Sequence, residues 1–132
     1  MAGPSDTDGT SARKPESTAG DAEAYVAAHS LRLIAAAREG EAQDVLRLLQ
    51  SGTADINFID PETGFTTLHY AAAYNAIPLL RLLARDRRCD FTVEDRKGRT
   101  AASLAYEVAE NGITGRFLLR KEMQQRRARQ AG

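Results

Sequence analysis

His69 is the residue that most invites a chemical reading. It lies in Gly64-Phe65-Thr66-Thr67-Leu68-His69-Tyr70-Ala71-Ala72, one helical turn from two hydroxyls, and a histidine beside a hydroxyl is the pairing used to activate a nucleophile. Metal chemistry would need three or four converging ligands. The only other histidine, His29, is far off in sequence, and Cys89 with Asp86 and Asp90 does not complete such a set. No Gly-rich phosphate loop, HExxH, paired-cysteine motif or nucleophile elbow occurs. The carboxylates Asp55, Asp60, Asp90 and Asp95 recur at a regular interval, so they belong to turns and not to an acid–base pair. No catalytic constellation is present, and neither a cofactor nor a small-molecule substrate is expected.

The arginines offer the other chemistry. Arg126, Arg127 and Arg129 could contact phosphate, but no aromatic residues interleave with them. Residues 1–29 carry a net charge of −3, residues 30–115 carry −2, and residues 116–132 carry +5. The near-balanced body argues against a nucleic-acid-coating domain. Nucleic acid is therefore a subordinate alternative, confined to the basic C-terminal helix. The 15 Arg against 3 Lys read first as codon bias.

Length and composition frame the elements that hold these groups. The 132 residues, 42% hydrophobic, suffice for one domain and a tail. One cysteine cannot form an internal disulfide. No apolar run is long enough for a membrane span, and the acidic N-terminus does not resemble a presequence. A cytoplasmic protein is the expectation, with no membrane insertion.

Residues 1–20 contain no aromatic and no large aliphatic residue after Met1, so a disordered tail is expected there. Residues 21–29 are rich in helix formers and read as a helical extension, with Asp21 and Ser30 as N-cap candidates. A helix carrying Leu31, Ile34 and Ala35 then stops at Gly40, and a second runs from about Ala42 to Gln50. Two short helices joined by a tight turn form an antiparallel hairpin. Asp55 to Gly64 follows as an extended stretch and a polar turn.

The same grammar then recurs. Leu33 and Leu68, Asp55 and Asp90, Ile56 and Phe91, and Asp60 and Asp95 are each 35 residues apart. Gly64 and Gly98, Thr66 and Thr100, and Ala71 and Ala105 are 34 apart, because the second polar turn is one residue shorter. A fixed offset across a whole unit marks a repeat architecture. The third unit is the least regular. Its last helix is expected to carry Ile113, Phe117, Leu118 and Met123 as an apolar stripe, and to fray over residues 126–132.

The order Gly-x-Thr-x-Leu-His-x-Ala-Ala, helix, turn, Leu-Leu helix, then Ala-Asp-Ile-Asn resembles the ankyrin-repeat family over about residues 30–123. The middle unit carries the motif at Gly64, Thr66, Leu68, His69, Ala71 and Ala72, with Thr67 in place of proline. The third keeps Gly98 and Thr100 but has Ala102 for leucine and Ser103 for histidine. The resemblance implies an all-α repeat, an α-solenoid of stacked helix-turn-helix units linked by β-hairpin-like loops. The domain would cover residues 30–125, with repeats at about 30–60, 61–95 and 96–125. It also implies that His69 is a neutral brace near Thr66 and the adjoining turn.

The function implied is a non-enzymatic adaptor or scaffold that binds a protein partner on its hairpin tips and the exposed side of its first helices. Phe58, Ile59 and Phe65 at the first tip, Arg96 and Arg99 at the second, and Arg38 and Tyr74 on the helices are the candidate contacts, since aromatics and arginine dominate interface energies. A monomer is expected, with weak self-association through an uncapped end as the departure from it. The alternative is a secreted bacterial effector, with residues 1–20 as export signal and the repeats engaging a host protein.

Overall fold

The computed structural model describes the backbone of residues 3–131 and the side chains from Gly20 to Ala131. Six helices occur in order: α1 (Gly3–Glu39), α2 (Ala42–Gln50), α3 (Thr67–Ala73), α4 (Ile77–Arg85), α5 (Ala101–Glu107) and α6 (Gly112–Ala131). Apart from Gly20, the tail expected over residues 1–20 lies outside the residues whose side chains are described. The helices form three hairpins. α1, α3 and α5 pack side by side as an inner row, α2 packs on α1 and α4, and α6 packs on α5. No strand occurs among the described residues; the two hairpin tips, 60–65 and 95–99, are turns.

Each inner helix touches its neighbour through small residues. Ala71, Ala72, Ala101, Ala102 and Ala105 are almost wholly buried, and a methyl side chain lets backbones approach where a longer one would hold them apart. Leu79, Leu80 and Leu83 of α4 and Val45 and Leu49 of α2 close the core from the outer side. Leu82 of α4 is only half-buried.

Two expectations about the ends change. The extension over residues 21–29 and the first main helix are one continuous helix, so Ser30 is not a cap. Its buried hydroxyl instead accepts the Asp55 N–H at 2.8 Å. At the other end, α6 does not fray at residue 126 but runs to Ala131. Gln125 accepts the Phe91 N–H at 2.7 Å and donates to the Cys89 carbonyl at 2.8 Å. Arg129 reaches Asp90 at 3.1 Å and donates to Thr92 at 2.8 Å. A tail with little apolar surface is held by polar contacts to backbone that would otherwise be exposed. The expected apolar stripe of α6 is buried only at Leu118; Ile113, Phe117 and Met123 face outward.

Candidate protein-binding surface

The tips are built around buried carboxylates. Asp60 accepts the Glu62 N–H through Oδ1 at 2.9 Å and the Tyr70 hydroxyl through Oδ2 at 2.6 Å. Burial raises this carboxyl, but the Tyr70 hydroxyl, the Glu62 N–H and nearby Arg38 outweigh it and hold Asp60 below the ordinary carboxylate range. Tyr70 moves the other way, raised by its own burial and by Asp60. At the second tip Asp95 accepts the Lys97 and Arg99 N–H groups at 2.9 and 2.8 Å, and pairs with Arg99 Nε at 2.9 Å. Burial opposes the charge there too, and these donors still keep the carboxyl depressed.

His69 joins the two tips. The Thr66 N–H donates to His69 Nδ1 at 3.1 Å, and the His69 N–H donates to Thr66 Oγ1 at 3.3 Å. This is a capping box with histidine in place of the usual Glu or Gln. Because Nδ1 accepts, Nε2 carries the proton, and it donates to the Arg99 carbonyl at 3.0 Å. Burial depresses the imidazole basicity, so the neutral ring persists at pH 7. His69 therefore braces the turn as the motif implies. Its ring is almost wholly buried. Cys89 is also buried, and its thiol is pushed up to about 12 by desolvation and by Asp86 and Asp90, which leaves it protonated and unreactive.

The seven candidate contacts divide by what they already touch. Arg96 donates to the Pro61 and Glu62 carbonyls of the first tip, and Arg99 is held by Asp95. Phe58 is half-buried, packed on the core and facing Val26 and Ala27 of α1. Phe65 is half-buried, stacked on His69 at 5.5 Å and set edge-on to Tyr70 at 5.1 Å. Three stay open. Tyr74 is 60% exposed and Ile59 51%. Arg38 is exposed too, with its guanidinium 5.8 Å from the Tyr70 ring centre and 3.9 Å from Glu62. Sequence reasoning missed Tyr70, whose hydroxyl ties Asp60 and Thr63 together. Only its aromatic type in an otherwise Leu-His-x-Ala-Ala run signalled it.

A family model for ankyrin repeats (3 copies) matches residues 33–129. The chain belongs to the ankyrin-repeat family. The matched span reaches residue 129, within α6. Ankyrin repeats are generally protein–protein interaction modules. A search of curated proteins finds no match. Among the described residues, no cluster of three or more His, Cys, Asp or Glu could hold a metal, and no helix is long and apolar enough to cross a membrane. Of the candidate contacts on the ankyrin tips and inner helices, Ile59, Arg38 and Tyr74 stay exposed.

Proposed function

We propose that this ankyrin stack is a non-catalytic adaptor, cytoplasmic and monomeric, that binds one protein partner across its first tip and the exposed ends of its inner helices. The observation that carries the reading is Tyr74. It is a large aromatic with an open ring, 6.1 Å from the buried Tyr70 ring, at the C-terminal end of α3. Tyrosine supplies broad contact area at small entropic cost, and Arg38 and Ile59 complete a mixed patch around it. The ends of the neighbouring inner helices, Glu39 and Val108, are also exposed and would extend the contact along the row.

A photo-cross-linking residue at position 74 of the full chain tests this, with the same residue at position 46 on α2 as control. The expected result is one adduct from position 74 that disappears with Ile59→Asp and weakens with Arg38→Ala. Adducts from position 46 alone, or a position-74 adduct insensitive to both substitutions, would refute it.

A further inference from the structure

A second surface lies between the outer helices α4 and α6. α4 and α6 leave a groove of about 350 Å³ between them, lined by Ile77, Leu80, Arg81, Ile113, Thr114 and Phe117. Its apolar members are unusually open: Ile113 is 75% exposed, Phe117 39% and Ile77 37%. Singly such residues mean little, but three converging on one concavity form a patch.

Arg81 lines the groove and Lys121 lies 5.9 Å from the Phe117 ring. Elsewhere on the same two helices stand Arg85, Arg116 and Arg120, and α4 contains no acid. Among the described residues none of these five makes an ion pair, whereas Arg38, Arg47, Arg88, Arg99, Arg126 and Arg129 each do. The one acid of α6, Glu122, is buried against Arg126 at 3.0 Å. A second copy seated by the same face would set arginine against arginine. An apolar floor between two cationic helices therefore calls for an occupant that is apolar along one face and acidic on both flanks.

The geometry points to an amphipathic helical segment of a partner protein, with aliphatic anchors at i, i+4 and Asp or Glu beside them, lying between α4 and α6. The nine residues of α4 span about 13 Å, so the groove seats roughly two to three turns. This site is separate from the Tyr74 surface, and each can fail without the other.

The probe is a labelled synthetic peptide of about sixteen residues, leucine-faced with glutamate flanks, titrated against the full chain by fluorescence anisotropy and followed by amide chemical shifts. A Glu-to-Gln version and a shuffled version serve as controls. Shifts confined to α4 and α6 are expected, with weaker binding for the Gln peptide and at higher salt. Ile113→Ser with Phe117→Ser should weaken binding about tenfold or more. Both side chains are exposed, so a circular-dichroism melt should show the fold intact, and Ile59→Asp should bind as wild type. The proposal is overturned if the peptide shifts no α4 or α6 amide, if the shuffled peptide binds equally, or if the shifts map to the tips. It is also overturned if vesicles of anionic phospholipid or single-stranded RNA engage this face while the peptide does not.

Discussion

Gly64 and Gly98 hold the same place in successive hairpin tips, with φ of 81° and 78°, yet their surroundings differ. Arg96 of the second tip lies across the first. Its side chain passes so close that a Cβ on Gly64 would stand 2.7 Å from Arg96 Cγ, while one on Gly98 would meet nothing within 4 Å. His69 shows the same asymmetry. It caps α3 and reaches on to the Arg99 carbonyl, whereas Ser103, at the matching place on α5, only shares the Thr100 cap. One motif thus does two jobs. Followed by another repeat it carries the link between repeats; placed last, it keeps only the local turn. Repeat stacks derive much of their stability from such nearest-neighbour terms.

The sharpest way to break this comparison is His69→Ala. It removes the capping box, the contact to Arg99 and a buried ring, and leaves the Thr66 N–H and the Arg99 carbonyl each short of a partner. Urea denaturation should show a loss of roughly 3 kcal/mol. Ser103→Ala should cost well under half as much. Comparable losses at the two positions would remove the distinction between a linking and a terminal repeat. The same imidazole sets a pH dependence. Its basicity is depressed in the fold, so the unfolded chain binds the proton more readily. Stability should be flat above the ordinary histidine value of 6.5 and decline as pH falls below it, toward the depressed folded value. His69→Gln should lack this decline below about pH 6.5. A wild-type Tm that stays level through that window would contradict the buried neutral ring.

Gly64→Ala comes next, at about 2–3 kcal/mol, because a left-handed backbone and a close approach both oppose the methyl. Gly98→Ala faces the backbone term alone, about 1 kcal/mol. Combining Gly64→Ala with Arg96→Ala should bring the glycine cost down to the Gly98 value, since the obstructing side chain is gone. A double-mutant cycle with no coupling would show that Arg96 does not fasten the tips.

The far end of the stack gives a smaller effect. Asn57 accepts the Asp90 N–H and donates to the Arg88 carbonyl, both at 2.8 Å. Gln125 does the same for Phe91 and Cys89 from α6. Gln125→Ala should cost about 1–2 kcal/mol and speed hydrogen exchange locally at residues 89–92. Unchanged exchange there would mean that the C-terminal turns do not close the stack.

The stack itself was legible because a 35-residue offset is a property of side-chain types at fixed spacing. Local helix and stop signals located α2 at its observed bounds, and the ankyrin resemblance placed His69 as a brace near Thr66. What composition could not show was polar closure. Gln125 and Arg129 bury little apolar surface, so the last turns looked free until their bonds to residues 89–92 were seen. Arg96 and Arg99 read as surface contacts for a related reason: arginine type marks both interface anchors and tip braces, and only their distances to Pro61, Glu62 and Asp95 separate the two. Phe58 was assigned to the open tip because the α1 extension that faces it was read as a separate element.

Glu110→Gly should produce the smallest effect, and the only gain. Gly40, Asn75 and Glu110 each follow an inner helix in the turn to its partner, and all three are left-handed, with φ of 74°, 54° and 53°. Glycine adopts this region freely and asparagine tolerates it; glutamate has neither advantage. The first two turns accordingly suit their residues, while the third, one residue longer, holds a strained one. Glycine also gives the unfolded chain more freedom, which offsets part of the relief. The net expectation is a stabilisation of about 0.5–1 kcal/mol, read as a higher urea midpoint with unchanged slope, and Glu110→Asn should recover part of it. Asn75→Gly should destabilise instead, because it removes the Asn75 Oδ1 that accepts from Asn111 and Thr114 at 3.1 and 3.3 Å. If Glu110→Gly destabilises instead, Glu110 makes a contact that outweighs its backbone, and the third turn is not the weak point of the stack.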